Sequence, residues 1–301
     1  MARFNAINLA GLPPPPVVEV IDYEDILAAL VADFITRFPD YDVGGLESDP
    51  AKKVLEVAAY REMILRQRVN DAARAVMVAS AGDGDLEHLG ALFGVERMRV
   101  VGNPNAVPPI PDEVEDLERY RERIQLSLEA YSTAGPYGAY AFYGLTASLD
   151  VKDVGVYGPE SGLVDPGHVA LYILSRLGDG TPSPALLAAV TAALSPSDRR
   201  PLTDYVAVLA PDIVPFATVI TLEVPHGPDH ELVRAEAMRR VTAYIQSRRK
   251  VGAKVSRDGI SGAAFVAGVE DVTVTSPAAD VVPALDAAAH CTGVTITIEV
   301  A

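Results

Sequence analysis

Between Pro50 and Gly82 no glycine or proline interrupts the chain, and Ser48-Asp49-Pro50 opens the stretch with an N-cap and a proline suited to a first helical turn. This predicts a single amphipathic helix of roughly 30 residues, about 45 Å long. Val54, Leu55, Ala58, Leu65, Val69, Ala72 and Val76 form its apolar side, while Arg61, Glu62, Arg66, Arg68, Asp71 and Arg74 fall largely elsewhere on its surface. A helix of that length outreaches any core its own domain can build. Apolar seams are therefore expected to remain for partners.

The chain of 301 residues is 49% hydrophobic and 22% charged, with a mean hydropathy of +0.19. This is ample to offset the ordering entropy of a globular fold. Twenty-five basic against 41 acidic side chains leave a net charge of −16, which repels phosphate backbones and anionic membranes. The single Cys291 excludes an internal disulfide and a cysteine-based zinc site. Residues 1–12 lack the arrangement of a secretory signal, so synthesis in the cytoplasm is expected. The longest uncharged stretch, Ala130 to Leu149, carries Gly135, Pro136, Gly138 and Gly144 and reads as soluble.

Upstream, Ile26, Leu27, Leu30, Val31, Phe34, Ile35 and Phe38 form a helical stripe over Asp22–Phe38. Gly82-Asp83-Gly84-Asp85 breaks the long helix and caps a short one over Leu86–Phe93 that stops at Gly94. Asn103 to Pro111 reads as an extended loop. The acidic run Asp112, Glu113, Glu115, Asp116 is expected to open a helix reaching about Tyr131. Beyond residue 132, strands are predicted at 151–157, 168–175, 205–209, 213–224, 269–275 and 294–300, and helices at 138–149, 185–194, 229–249 and 260–266. The stretch Val151 to Pro159 matches Val269 to Pro277 as V-x-D-V-x-V-x-x-P. Each copy follows a small-residue helix and precedes a Gly-led alternating strand, at Gly167 and at Gly293. The expected fold class is α+β multidomain: an N-terminal helical assembly domain (1–133), then a central (134–211) and a C-terminal (212–301) small α+β domain that read as duplicates.

Chemistry-bearing patterns are few. Gly178-Asp-Gly180-Thr-Pro-Ser183 imitates a phosphate-cradling loop, but prolines at 182 and 184 remove N–H donors, and Ser183 reads better as an N-cap. His226 and His230 flank Asp229, yet Gly227-Pro228 spoils a shared helical face, and Asp229 also reads as an N-cap. His290-Cys291 would point to opposite sides of an extended segment. Arg234, Arg239, Arg240, Arg248, Arg249, Lys250, Lys254 and Arg257 make one locally basic region, better suited to acidic neighbours in an assembly than to nucleic acid. No catalytic, cofactor-binding or metal-ligating residue is assigned. An α+β enzyme or ligand-binding protein with an unrecognised pocket stays open as the alternative.

The segments Leu46 to Glu62 and Leu65 to Ala75 resemble the baseplate assembly protein J family of contractile phage tails. So do Gly84 to Arg97, Tyr120-Arg-Glu-Arg123, Tyr131 to Pro136 and Val151-Lys-Asp-Val154. The Asn103 to Pro111 loop is abbreviated relative to that family. The resemblance implies a non-enzymatic wedge subunit of a phage tail or tailocin baseplate. Such a subunit assembles around the tail hub with other baseplate proteins and rearranges when the sheath contracts. It further implies a heterotrimer of two copies with one smaller wedge protein, joined through N-terminal helices, and a ring closed by the C-terminal domains. No nucleic acid, membrane, cofactor or small-molecule substrate is implied, and the location is the virion tail baseplate after synthesis and assembly in the bacterial host cytoplasm. Leu55, Arg61, Leu65, Arg66, Val69 and Arg74 are the candidate partner interface. Pro211, Asp212 and Ile213 are the candidate inter-domain hinge, stiffened by Pro211 and Pro215.

Overall fold

The computed structural model describes residues 7, 9–13, 15–41, 48–132, 136–196, 199, 201, 203–227 and 229–300. Leu46, Glu47, Thr133, Ala134, Gly135 and Pro228, used in the sequence reading, lie outside them. The chain divides into two units, with the boundary between Ile124 and Gln125.

In the first unit, α1 (Tyr23–Arg37) starts where the Asp22 carboxylate accepts the Glu24 N–H at 2.7 Å. Ile26 is buried and Leu27, Leu30, Val31 and Phe34 are half-buried, whereas Ile35 and Phe38 at the far end of the stripe are exposed. The long helix α2 (Pro50–Ala75) is capped as predicted, with Asp49 accepting the Ala51 N–H at 2.8 Å. It has 26 residues, about 39 Å, and is therefore shorter than the sequence suggests. The reason lies outside the helix. The Arg121 side chain takes the carbonyls of Val78 (Nε, 2.9 Å) and Ala81 (Nη2, 2.7 Å), and the Ser80 hydroxyl takes that of Arg74, so the chain turns at Val76 instead of winding on.

Helix α3 (Asp83–Leu92) starts with Gly82 at its N-cap and is followed by Gly94 at φ +68°, the left-handed residue that stops it. A two-stranded ribbon, β1 (Arg99–Val100) with β2 (Glu113–Val114), frames the proline-rich loop. This corrects the reading of the acidic run as a helix start, because its members do four different things. Asp112 accepts the Gly102 N–H at 2.8 Å, Glu113 lies in β2, Glu115 is buried, and Asp116 accepts the Glu118 N–H at the start of α4 (Leu117–Ala130).

Glu115 anchors the unit's polar core. Its carboxylate meets Arg123 Nη1 at 2.5 Å and Arg119 Nε at 3.1 Å and accepts the Met98 N–H. Arg97 Nε donates to the Glu115 carbonyl. Beside it, the buried Tyr120 hydroxyl donates to Val95 O at 2.7 Å and passes so close to Gly90 that a Cβ there would stand 2.0 Å from it. Tyr120-Arg-Glu-Arg123 thus ties α4 to the α3 region through Tyr120, Arg121 and Arg123.

The second unit holds two three-stranded sheets. The central sheet orders β3 (Val151–Tyr157), β4 (His168–Ser175) and β5 (Tyr205–Leu209), with β3 antiparallel and β5 parallel to β4. Helices α5 (Tyr137–Thr146) and α6 (Pro184–Leu194) supply its apolar cover through Tyr140, Leu145, Leu186, Val190 and Leu194. The C-terminal sheet places β6 (Asp212–Val224) between β7 (Asp271–Ser276), antiparallel to it, and β8 (Ala287–Val300), parallel to it. Val233, Ala237, Val241 and Ile245, four residues apart along α7 (His230–Arg248), and Ile260 and Ala264 of α8 (Arg257–Ala264) pack on Ile220, Leu222, Val274 and Ile296. The α+β class is therefore as expected.

β8 is seven residues longer at its start than the predicted strand, because Ala287-Ala288-Ala289-His290-Cys291 pairs with Asp212 to Phe216. Alanines are poor strand formers, and these earn their place by size, since Ala288 is fully buried beside Val251. An irregularity at Phe216/Ala217 lets the predicted part follow in the same strand.

The repeated strands occupy matching places. β3 and β7 are both antiparallel edges, but their burial is crossed: Val154 is buried where its counterpart Val272 is half-buried, and Val156 is half-buried where its counterpart Val274 is buried. The strands that follow do not match. β4 is central and pairs with β3, whereas β8 is separated from β7 by β6.

Truncating Arg123 to methionine leaves the Glu115 carboxylate buried without its closest partner and should cost about 3–5 kcal/mol. Arg123→Met with Glu115→Met should recover part of that loss. Urea denaturation of the full chain and both variants checks this.

Candidate assembly surface

The two sides of α2 differ sharply. Ala59 is fully buried and Asn70 is 3% exposed. The Asn70 amide grips the segment before α1, with Nδ2 donating to Glu19 O at 2.9 Å and Oδ1 accepting the Glu19 N–H at 3.0 Å. Arg66 reinforces this strap, bonded to Glu62 at 2.7 Å and to Glu19 at 3.2 Å, and the Glu62 contact raises its pKa further. An apolar residue at position 70 would leave the Glu19 backbone without these bonds.

On the other side, Val54 (67%), Leu65 (66%), Val69 (56%) and Val76 (71%) are exposed, as are Ala58 and Ala72 between them. At 100° per residue these six share an arc about 60° wide. Exposed Val57 and Ile64 flank it. Arg61 and Arg68 border the same stripe, both exposed and neither in an ion pair among the described residues. The surface is therefore apolar with forked cations at its margin, suited to a helix carrying carboxylates.

The six candidate interface residues separate into three kinds. Leu65, Val69 and Arg61 lie on or beside the exposed stripe. Leu55 is half-buried, at the edge toward the packed side. Arg66 and Arg74 are held by carboxylates of their own unit, Arg74 by Asp71 at 3.7 Å. Asn70, which the sequence reading passed over, is the polar residue that orients the packed side. Its signal was a lone amide on the arc that also carries Ala59.

Of the hinge residues, Pro211 is buried, the Asp212 N–H donates to Asp286 O at 3.1 Å, and Ile213 packs against Tyr157, Leu174, Val251 and Ala288.

The remaining patterns have local structural roles. Ser183 Oγ accepts the Leu186 N–H, with Pro184 opening α6, while Asp179 accepts the Thr181 N–H, which lowers its pKa. Asp229 accepts the N–H groups of Glu231 and Leu232. Cys291 is half-exposed beside Thr218, and its Sγ bonds to Gly293 O. On α7, Arg239 and Arg240 converge on Glu236, whose pKa their hydrogen bonds lower to about 2, and Arg234 pairs with Glu231. Among the described residues no cluster could hold a metal ion, and no helix is long and apolar enough to cross a membrane.

Comparison with known proteins returns the family that the motifs suggest. Residues 47–102 match the Baseplate J-like N-terminal domain, 132–210 the Baseplate J-like central domain, and 217–297 the Baseplate J-like protein C-terminal domain. Baseplate protein J of Escherichia phage P2 is 39% identical over 293 residues, covering 95% of each chain. Three successive domain matches and a relative aligned nearly end to end make this chain a member of the Baseplate J-like family.

Proposed function

We propose that the chain is a structural, non-enzymatic wedge subunit in the baseplate of a contractile phage tail or tailocin. It would be made and assembled in the bacterial host cytoplasm and reside in the virion tail. The observation that carries this reading is the uncovered apolar stripe of α2. A stripe of valines and a leucine, bordered by arginines that make no ion pair among the described residues, has the chemistry of a helix-packing seam and offers no convergent polar groups for catalysis. Family membership supplies the setting.

On this reading, residues 1–133 form the assembly domain. Its stripe, centred on Leu65 and Val69 with Arg61 at the margin, meets helices of a second copy and of a smaller wedge protein in a heterotrimer. Leu55, Arg66 and Arg74 shape and support the seam. The central (134–211) and C-terminal (212–301) domains face other baseplate and hub proteins, and Pro211, Asp212 and Ile213 are the hinge about which they reorient during sheath contraction. No cofactor, nucleic acid, membrane or small-molecule substrate enters this account.

Leu65→Asp is expected to leave the thermal stability of the free chain within about 0.5 kcal/mol, since the side chain is exposed. The same change should abolish incorporation into tails, because a charge in a desolvated seam costs several kcal/mol. Complementation of a tail lacking this protein, with calorimetry of the purified variant, reads both. Normal incorporation would contradict the proposal. His226→Ala, His230→Ala and Cys291→Ser should each incorporate as wild type. Loss of assembly rescued by added metal or reductant would instead favour a site at those residues.

A further inference from the structure

Residues Arg249–Gly252 leave the end of α7 and insert against the outer face of the central sheet. Val251 is fully buried there among Tyr157, Leu174 and Ala288, and its N–H donates to Asp153 Oδ2 at 2.8 Å. Three glycines permit the approach. A Cβ at Gly155 would stand 2.7 Å from Val251 Cγ1, and one at Gly252 (φ +65°) would stand 2.9 Å from Tyr157 Oη. One at Gly180 (φ +110°) would stand 3.4 Å from Arg249 Nη2 and from Ile213 Cδ1. Side chains seated this close to glycine backbone leave little room for a small shift, so the contact is either made or lost.

One member of the contact is poorly satisfied. Arg249 Nη2 donates to Gly178 O at 2.7 Å, across 71 residues of sequence. Its Nε is buried with no hydrogen-bond partner among the described residues. Burial disfavours the charged guanidinium and lowers its pKa, against the opposing attraction of Asp179. A buried unpaired donor carries its full desolvation cost, so this is where the contact is weakest.

We propose that Arg249–Gly252 is a latch that holds the central and C-terminal sheets as one body, with Arg249 as its release point. The repeated strand shows why the latch exists in one copy only. Asp153 and Gly155 receive Val251, whereas their counterparts Asp271 and Thr273 are exposed in β7. For its use in the particle the latch rests on the hinge reading of residues 211–213, but its presence does not.

Hydrogen exchange of the free full-length chain, read by mass spectrometry over 150–158, 249–254 and 294–300, tests it. In wild type, the first two segments should exchange at a common rate. Gly155→Val and, as the milder change, Asp153→Ala should accelerate both together by about tenfold or more while 294–300 stays protected. Arg249→Met, which keeps length and removes the unpaired nitrogen, should slow both. Unchanged exchange at 249–254 in Gly155→Val and Asp153→Ala, independent rates in wild type, or faster exchange in Arg249→Met would each overturn the latch. Coupled exchange supports it even if the two domains keep one orientation in contracted tails, a result that would remove only the hinge reading.

Discussion

The first unit is organised by a mismatch of size. Helix α2 is about 39 Å long, while α1 has 15 residues and the strap around Glu19 is a short extended segment. These cover one side of α2, through Ile26, Ala59 and the Asn70 amide, and leave an apolar arc on the other. Burial of a valine or leucine is worth roughly 1.5–3 kcal/mol, so the exposed Val54, Leu65, Val69 and Val76 represent a driving force that the free chain does not use. On the proposed reading, association with helices of other chains would use it, with the rest of the unit holding α2 in position.

Two polar arrangements do the holding. At one end of the unit, Glu115, Arg119 and Arg123 form an almost fully buried ion cluster, and Arg121 ends the α2 region by taking two carbonyls. Such a cluster adds little net stability over an apolar core of the same volume, but its geometry admits one solution. Beside the strap, Asn70 makes two hydrogen bonds to one backbone residue, which fixes which side of α2 faces inward. In the second unit the same economy appears in apolar form, with glycines at 155, 180 and 252 setting how closely the sheets meet.

Much of this was legible in the sequence. Period-two patterns found every strand after residue 150, and the 3.6 period found the α1 stripe, because those elements bury one face against a local partner; the α2 stripe was found by the same period although it is exposed. The motifs also identified the family, through Tyr120-Arg-Glu-Arg123 and the strand beginning at Val151. What escaped was decided by distant contacts. Glu115 reads as a helix-start residue until Arg123 is seen beside it, and Ala287–Ala289 fall outside the predicted strand until Val251 is placed against Ala288. The full extent of the repeat was overread for the same reason, since its strand order depends on β6 entering between β7 and β8. At the candidate surface the stripe itself was legible, but the division of its flanks between Arg61, without an ion pair among the described residues, and internally paired Arg66 and Arg74 was not.

The central claim is that the α2 stripe is a seam covered by other chains in the particle. A cryo-electron microscopy map of the purified tail, with this chain fitted, tests it most directly. The account predicts helical density from a second copy or a smaller wedge protein packed along Val54, Ala58, Leu65, Val69 and Ala72. A stripe facing solvent in the assembled baseplate would contradict it.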